Sequence, residues 1–219
     1  MTDKVPQPQR LPLPVMLLGL VLVIVGALAA RYILGPKEPT LSAKLPPHYL
    51  EPGKPITGFD LIDYNRQRFD ASRFKGRWTF MFFGYTNCPD VCPTTLLVMK
   101  SVWAKLPTEA KAAPAPQMVF VSVDPDRDTP ARLKDYVTFY RPDFIGVTGK
   151  ADQIDILTRQ VGVQYGFDDD PDGKGYTVKH SAQIILVDPS GKMRAVFSPP
   201  HKVDDLVRSF VQIRNYYKG

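Results

Sequence analysis

The chain has two cysteines, and both fall in "GYTNCPDVCPTTL", Gly84 to Leu96, as Cys88 and Cys92 with three residues between them. A proline follows each, and an aromatic run, "WTFMFF", leads in. Thiols at this spacing allow three chemistries: a structural disulfide, a thiol–disulfide redox couple or a metal clamp. If a helix begins between them, Cys88 sits in the preceding loop and Cys92 on the first turn. Positions four apart then share one face. The positive end of that helix favours thiolate over thiol, and thiolate is both the nucleophile and the metal ligand. A staple closing so short a loop adds little entropic stabilisation. Dithiol redox pairs commonly have two intervening residues; three leave more room between the sulfurs for an ion without forbidding a disulfide.

A third candidate is His180, in "GYTVKHSAQIIL". Soft thiolates select Cu(I), and imidazole accepts both oxidation states of copper. The same trio could hold zinc with an open fourth position. Taken alone, a histidine just ahead of a strand reads as structural. "VSVDPDRDTP" crowds Asp124, Asp126 and Asp128 into one loop. Turn and cap chemistry explains such carboxylates, with Asp128 opening a helix; the other reading gives Asp128 a supporting role beside the metal. The spacing of an EF-hand and its closing Glu are absent. His48 lies in a proline-rich stretch and reads as a solvated linker side chain.

The elements that must position these residues emerge from the apolar pattern. "ITGFDLID" and "YNRQRFD" suggest a hairpin. "RWTFMFFGY" and "QMVFVSVD" are continuous apolar runs of strand length, as expected of strands buried on both faces. "PTTLLVMKSVWAKL" carries apolar residues at helical spacing. "DTPARLKDYVTFY" opens with Asp128 or Thr129 as the cap and Pro130 in the first turn. "DFIGVTG" is a short strand, "KADQIDILTRQVG" a helix ending near Gly162, and "SAQIILVDPSGKMRAVFS" a hairpin around "DPSG". "VDDLVRSFVQIRNYY" is a closing amphipathic helix. Strands alternating with helices predict an α/β domain over 56–219. The order, with a leading β-hairpin, a β-α-β unit, a terminal hairpin and a last helix, is a thioredoxin-like layout. In such folds the segment before the terminal hairpin faces the cysteine loop. A proline normally stands close by, and here none occurs between Asp172 and Val187.

Ahead of the domain, "VMLLGLVLVIVGALAA", Val15 to Ala30, carries no charge. With its flanks it gives a span over 11–34, enough for the ~20 helical residues that cross a bilayer. The alternative is a cleaved signal peptide with Ala27-Leu28-Ala29 as the cleavage site. Either one exports the remainder of the chain. Residues 1–10 read as a short cytoplasmic tail and 35–55 as a Pro-rich tether. The charge is +6 with pI ≈ 9.2, and the basic residues are scattered, so no nucleic-acid partner is expected.

Three segments in order, "FFGYTNCPDVCPTTL", "VSVDPDRDTP" and "KHSAQIILVDPSG", resemble the Sco/SenC family of membrane-anchored copper proteins. The resemblance runs from about Gly58 to the C-terminus. It implies a thioredoxin-like domain that binds one copper ion through Cys88, Cys92 and His180, with Asp128 at an acidic position of the motif. It also implies a role in assembling the dinuclear copper (CuA) centre of cytochrome c oxidase, by delivering copper, by reducing the cysteines of oxidase subunit II, or both. The expected partners are that subunit, a copper donor and a thiol reductant outside the cytoplasm. The expected location is the inner membrane, with the domain in the periplasm.

Overall fold

Phe80 and Phe82 point to one side of a central strand and Met81 and Phe83 to the other, and all four are fully buried. The computed structural model describes residues 22–26, 46, 48–111, 114–169 and 175–218. The chain divides into two units, Met1–Lys44 and Leu45–Gly219. Of the first, only a helical stretch at 22–26 is described. The rest of the span expected over 11–34 lies outside the described residues, as do the tail at 1–10 and most of the expected tether up to residue 47. No helix among the described residues is long and apolar enough to cross a membrane.

The second unit is an α/β domain. Its strands are β1 (Tyr49–Pro55), β2 (Leu61–Asp63), β3 (Arg68–Phe69), β4 (Thr79–Gly84), β5 (Gln117–Ser122), β6 (Ile145–Thr148), β7 (Tyr165–Asp169), β8 (Tyr176–His180), β9 (Ile184–Val187) and β10 (Lys192–Phe197). Its helices are α1 (Val91–Lys105), α2 (Thr108–Lys111), α3 (Pro130–Tyr140), α4 (Ala151–Val161) and α5 (Val203–Lys218), and a 3-10 turn covers Ala71–Phe74. Eight strands form one sheet in the order β1-β10-β9-β4-β5-β6-β2-β3, and β7 pairs with β8 alone. Strands β4, β5 and β6 are parallel neighbours, whereas β9 runs antiparallel to β4. One face of the sheet packs against α1, α3 and α5 through Leu96, Val137 and Phe210. The other packs against α4 and the 3-10 turn through Leu157 and Phe74.

The expected strands, helices and terminal hairpin are present, and β2–β3 is the expected leading hairpin, though it is short. Three expectations change. Tyr49–Pro55, which reads as tether in the sequence, pairs with β10 as an edge strand, so the domain starts before Ile56. The β7–β8 hairpin is an addition to the expected elements. The cap of α3 is Thr129, whose side chain accepts from Arg132 N–H, with Pro130 next in the chain; Asp128 does not cap this helix.

Candidate metal centre

Gly84 closes β4, and the chain then turns through Tyr85–Asp90 into α1. A Cβ at Gly84 would run into Cys92 Sγ and the Phe120 ring, so glycine here is what lets the helix start settle on the strand end. Cys92 stands on the first turn of α1 and is fully buried, while Cys88 in the loop is half-buried. Both thiols are free. Cys92 N–H donates to Cys88 Sγ at 3.4 Å, so the Cys88 sulfur occupies a capping position over the helix N-terminus.

This contact divides the pair. Cys88 is pushed down to about 3, first by the hydrogen bond from the Cys92 thiol, with further help from His180 and from the Cys92 and Asp90 backbone, against the opposing effect of burial. Cys92 is pushed up, first by that same shared bond, then by burial and by the neighbouring Cys88 charge. The shared bond thus favours negative charge on Cys88 and the proton on Cys92.

His180 ends β8, opposite Tyr165 of β7. Its Nε2 lies 3.3 Å from Cys92 Sγ and its Nδ1 3.2 Å from the Ser181 carbonyl. The ring stands edge-on to Phe82 and Tyr85, each with centroids 6.0 Å away. Just beyond it, Ser181 N–H donates to the Gln164 carbonyl at 2.8 Å. One ligating atom each from Cys88, Cys92 and His180 lies within 4.8 Å of the others, and no other group of three or more His, Cys, Asp or Glu among the described residues does this. Bonds of ~2.0–2.3 Å separate the donors of a three-coordinate ion by about 4 Å. The trio therefore needs only a small closure to hold one metal ion, and two sulfurs plus one imidazole suit a soft, late transition metal.

Asp128 is fully buried and does not reach the sulfurs as a ligand. Its carboxylate accepts from Thr86 N–H at 2.9 Å, Thr86 Oγ1 at 2.5 Å and Ser122 Oγ at 2.6 Å. It thus ties the start of the cysteine loop to the end of β5. The three aspartates of this loop separate into different roles. Asp126 is exposed; Asp124 is buried and takes Arg127 Nε at 2.5 Å and the Tyr176 hydroxyl at 2.7 Å. Arg127 also donates to the Tyr176 carbonyl at 2.8 Å, and its guanidinium lies 3.8 Å from the centre of that ring. This network pins the start of β8, the strand whose other end is His180. Arg127 and Tyr176 have no sequence signal beyond their nearness to the aspartate loop and to His180.

The chain matches the SCO1/SenC family over residues 49–215. A Stutzerimonas stutzeri protein whose name describes copper binding is 40% identical over 158 residues, 72% of this chain and 76% of that protein. Among solved structures, Arabidopsis thaliana ScoI with copper bound is 33% identical with a TM-score of 0.66, covering 74% of this chain and 99% of the other. Bradyrhizobium japonicum ScoI with copper bound is 34% identical with a TM-score of 0.62, covering 73% and 98%. By the match across its folded unit and by the thioredoxin-like α/β fold it shares with these structures, this chain belongs to the SCO1/SenC family.

Proposed function

We propose that this protein is a copper metallochaperone that binds one copper ion through Cys88, Cys92 and His180 and passes it to subunit II of cytochrome c oxidase during assembly of the CuA centre. The observation that carries the reading is the convergence of these three donors within 4.8 Å at the end of β4 and β8. Two solved relatives hold copper on the same fold. The uncharged run from Val15 to Ala30 supports an N-terminal membrane anchor with the domain in the periplasm, where a copper donor and a thiol reductant would supply the metal and keep Cys88 and Cys92 reduced. Asp128 serves the site by fixing the cysteine loop through Thr86 rather than by touching the metal.

A second reading has its own observation. A thiolate at Cys88 beside a protonated Cys92 is the starting state of a dithiol reductant. In this reading Cys88 attacks a disulfide of the oxidase subunit, and Cys92 then resolves the mixed disulfide. His180 separates the two readings. His180→Ala removes an imidazole and neither thiol. The reduced variant is expected to bind copper at least tenfold more weakly, with Cu(II) suffering most, because Cu(I) persists with two thiolates. It should still cycle between dithiol and disulfide, yet fail to restore oxidase activity in cells lacking the native protein. Full rescue by a copper-deficient His180→Ala protein would overturn the chaperone reading and leave the reductant.

A further inference from the structure

Cys88 N–H donates to the Tyr85 carbonyl at 3.2 Å, so Tyr85–Cys88 is a tight turn with Thr86 and Asn87 at its two central positions. This turn delivers the first sulfur of the metal centre. One side chain grips both central residues: Arg132 Nε donates to Thr86 Oγ1 at 2.6 Å, and Arg132 Nη2 donates to Asn87 Oδ1. A guanidinium is planar and presents its N–H groups as a rigid fork. The grip therefore fixes the two side chains relative to each other as well as to the helix that carries the arginine.

That helix is a firm base. Arg132 stands in the first turn of α3, its own N–H donates to the capping Thr129 Oγ1 at 3.3 Å, and the next residue, Leu133, is fully buried. The turn is thus held from two sides, by the buried Asp128 beneath it and by the exposed Arg132 at the surface. Thr86 Oγ1 is the shared point: it accepts from Arg132 and donates to Asp128, so each bond orients the other. Of the turn's central residues, Asp128 holds Thr86, and Arg132 extends the hold to Asn87, the residue joined to Cys88.

We propose that Arg132 is a positioning residue of the metal centre, whose forked grip on Thr86 and Asn87 fixes the turn that sets Cys88 Sγ over the start of α1. Its effect on metal rests on the copper reading of that centre; its effect on the turn does not. The test compares the reduced full chain with Arg132→Gln and Arg132→Lys. Because the position is exposed, both variants should unfold in urea at an unchanged midpoint. Both should bind Cu(I) about tenfold more weakly in competition with a chelator, as loss of a group that orients a ligand does. Lysine keeps the charge but has no fork, so a lysine variant of wild-type affinity would reduce the role to charge and overturn the proposal. Amide exchange at Cys88, whose N–H closes the turn, should rise about tenfold in metal-free Arg132→Gln. Asn87→Ala should weaken Cu(I) binding too, and the double variant with Arg132→Gln should be no weaker than the worse single one, since both remove the same contact. Full additivity would show that Arg132 does not act through Asn87 and would overturn the proposal. Exchange needs no metal, so a wild-type chain that took up no copper would refute the copper reading while the clasp was still judged by exchange at Cys88. Unchanged exchange there in Arg132→Gln would overturn the clasp whatever the chain binds.

Discussion

Replacing Asp128 by asparagine tests whether the cysteine loop is held from beneath. The carboxylate is an acceptor on both oxygens, taking Thr86 N–H and Ser122 Oγ on one and Thr86 Oγ1 on the other. Asparagine turns one of these oxygens into a donor, and neither orientation fits. With the amide nitrogen toward the first pair, it faces the Thr86 N–H, a donor that cannot change role. With the nitrogen toward Thr86 Oγ1, that hydroxyl already accepts from Arg132 Nε at 2.6 Å, and its own proton loses its acceptor. At least one hydrogen bond to a charged group is lost in a fully buried place, worth ~1.5–3 kcal/mol. For a chain of this size that lowers the melting temperature by about 3–12 °C, at ~2–4 °C per kcal/mol. Thr86 lies two residues before Cys88, so the loop should also position Cys88 less well, and copper affinity should fall about tenfold, or ~1.4 kcal/mol. Urea unfolding and copper competition against a chelator of known affinity measure the two effects. A double-mutant cycle with Thr86→Val should show a coupling of about 1–2 kcal/mol. An Asp128→Asn protein within ~0.5 kcal/mol of wild type and with unchanged copper affinity would refute the reasoning.

Other perturbations reach the rest of the site. Cys88, pushed down to about 3, should remain a thiolate through mild acid, so iodoacetamide should label it nearly as fast at pH 5 as at pH 8; a rate that climbs tenfold per pH unit over that range would contradict the assignment. The stability from this shift is complete above the ordinary thiol value and lost as pH falls toward 3, but Cys92 shifts the opposite way, so labelling is the better readout than unfolding. Gly84→Ala should cost about 1–3 kcal/mol through overpacking against Cys92 and Phe120 and should weaken copper binding; a variant of wild-type stability would show that the helix start yields more easily than argued. Arg127→Gln leaves the buried Asp124 without its cation and Tyr176 without its carbonyl donor. It should destabilise by ~2–4 kcal/mol, below the cost of breaking a fully buried pair because Arg127 is partly exposed. Amide exchange along Tyr176–His180 should rise, and unchanged protection there would dissociate the network from His180.

The central fold is legible because its strands obey a strong rule. A strand covered on both faces must be apolar throughout, and Thr79–Gly84 and Gln117–Ser122 are buried at every position. The elements that escape the sequence are those in which packing leaves little trace in composition. Tyr49–Pro55 holds two prolines and buries only Gly53, which is tolerable because the strand sits at the sheet edge and pairs on one side. Its proline content therefore resembles that of a linker. The β7–β8 strands pair only with each other and half of their residues are exposed; Tyr165 and Phe167, like Tyr176 and Val178, do alternate with polar or small residues, but over runs too short to announce a hairpin. His48 reads as a linker side chain for the same reason as β1: nothing local indicates that the residue before an edge strand will lie against Phe197.

At the site the legibility divides between chemistry and support. The two cysteines advertise themselves by rarity and by their place at a strand-to-helix turn, which the domain pattern alone locates. His180 is a lone histidine 88 residues from Cys92, and it joins them only because β9 runs antiparallel beside β4 and brings the preceding segment across the sheet end. Asp128 stands out in the sequence as one of three crowded carboxylates, but spacing does not separate them. What distinguishes them is burial and partner: one faces solvent, one holds Arg127 and Tyr176, and one holds Thr86. The support runs through contacts between elements distant in sequence, such as Asp128 to Thr86 and Arg127 to Tyr176, and such contacts leave no periodic signal. Positioning is thus the less legible half of this site. A variant that keeps all three donors but loses Asp128 or Arg127 should lose metal binding in proportion to how far those contacts hold the donors within 4.8 Å of one another.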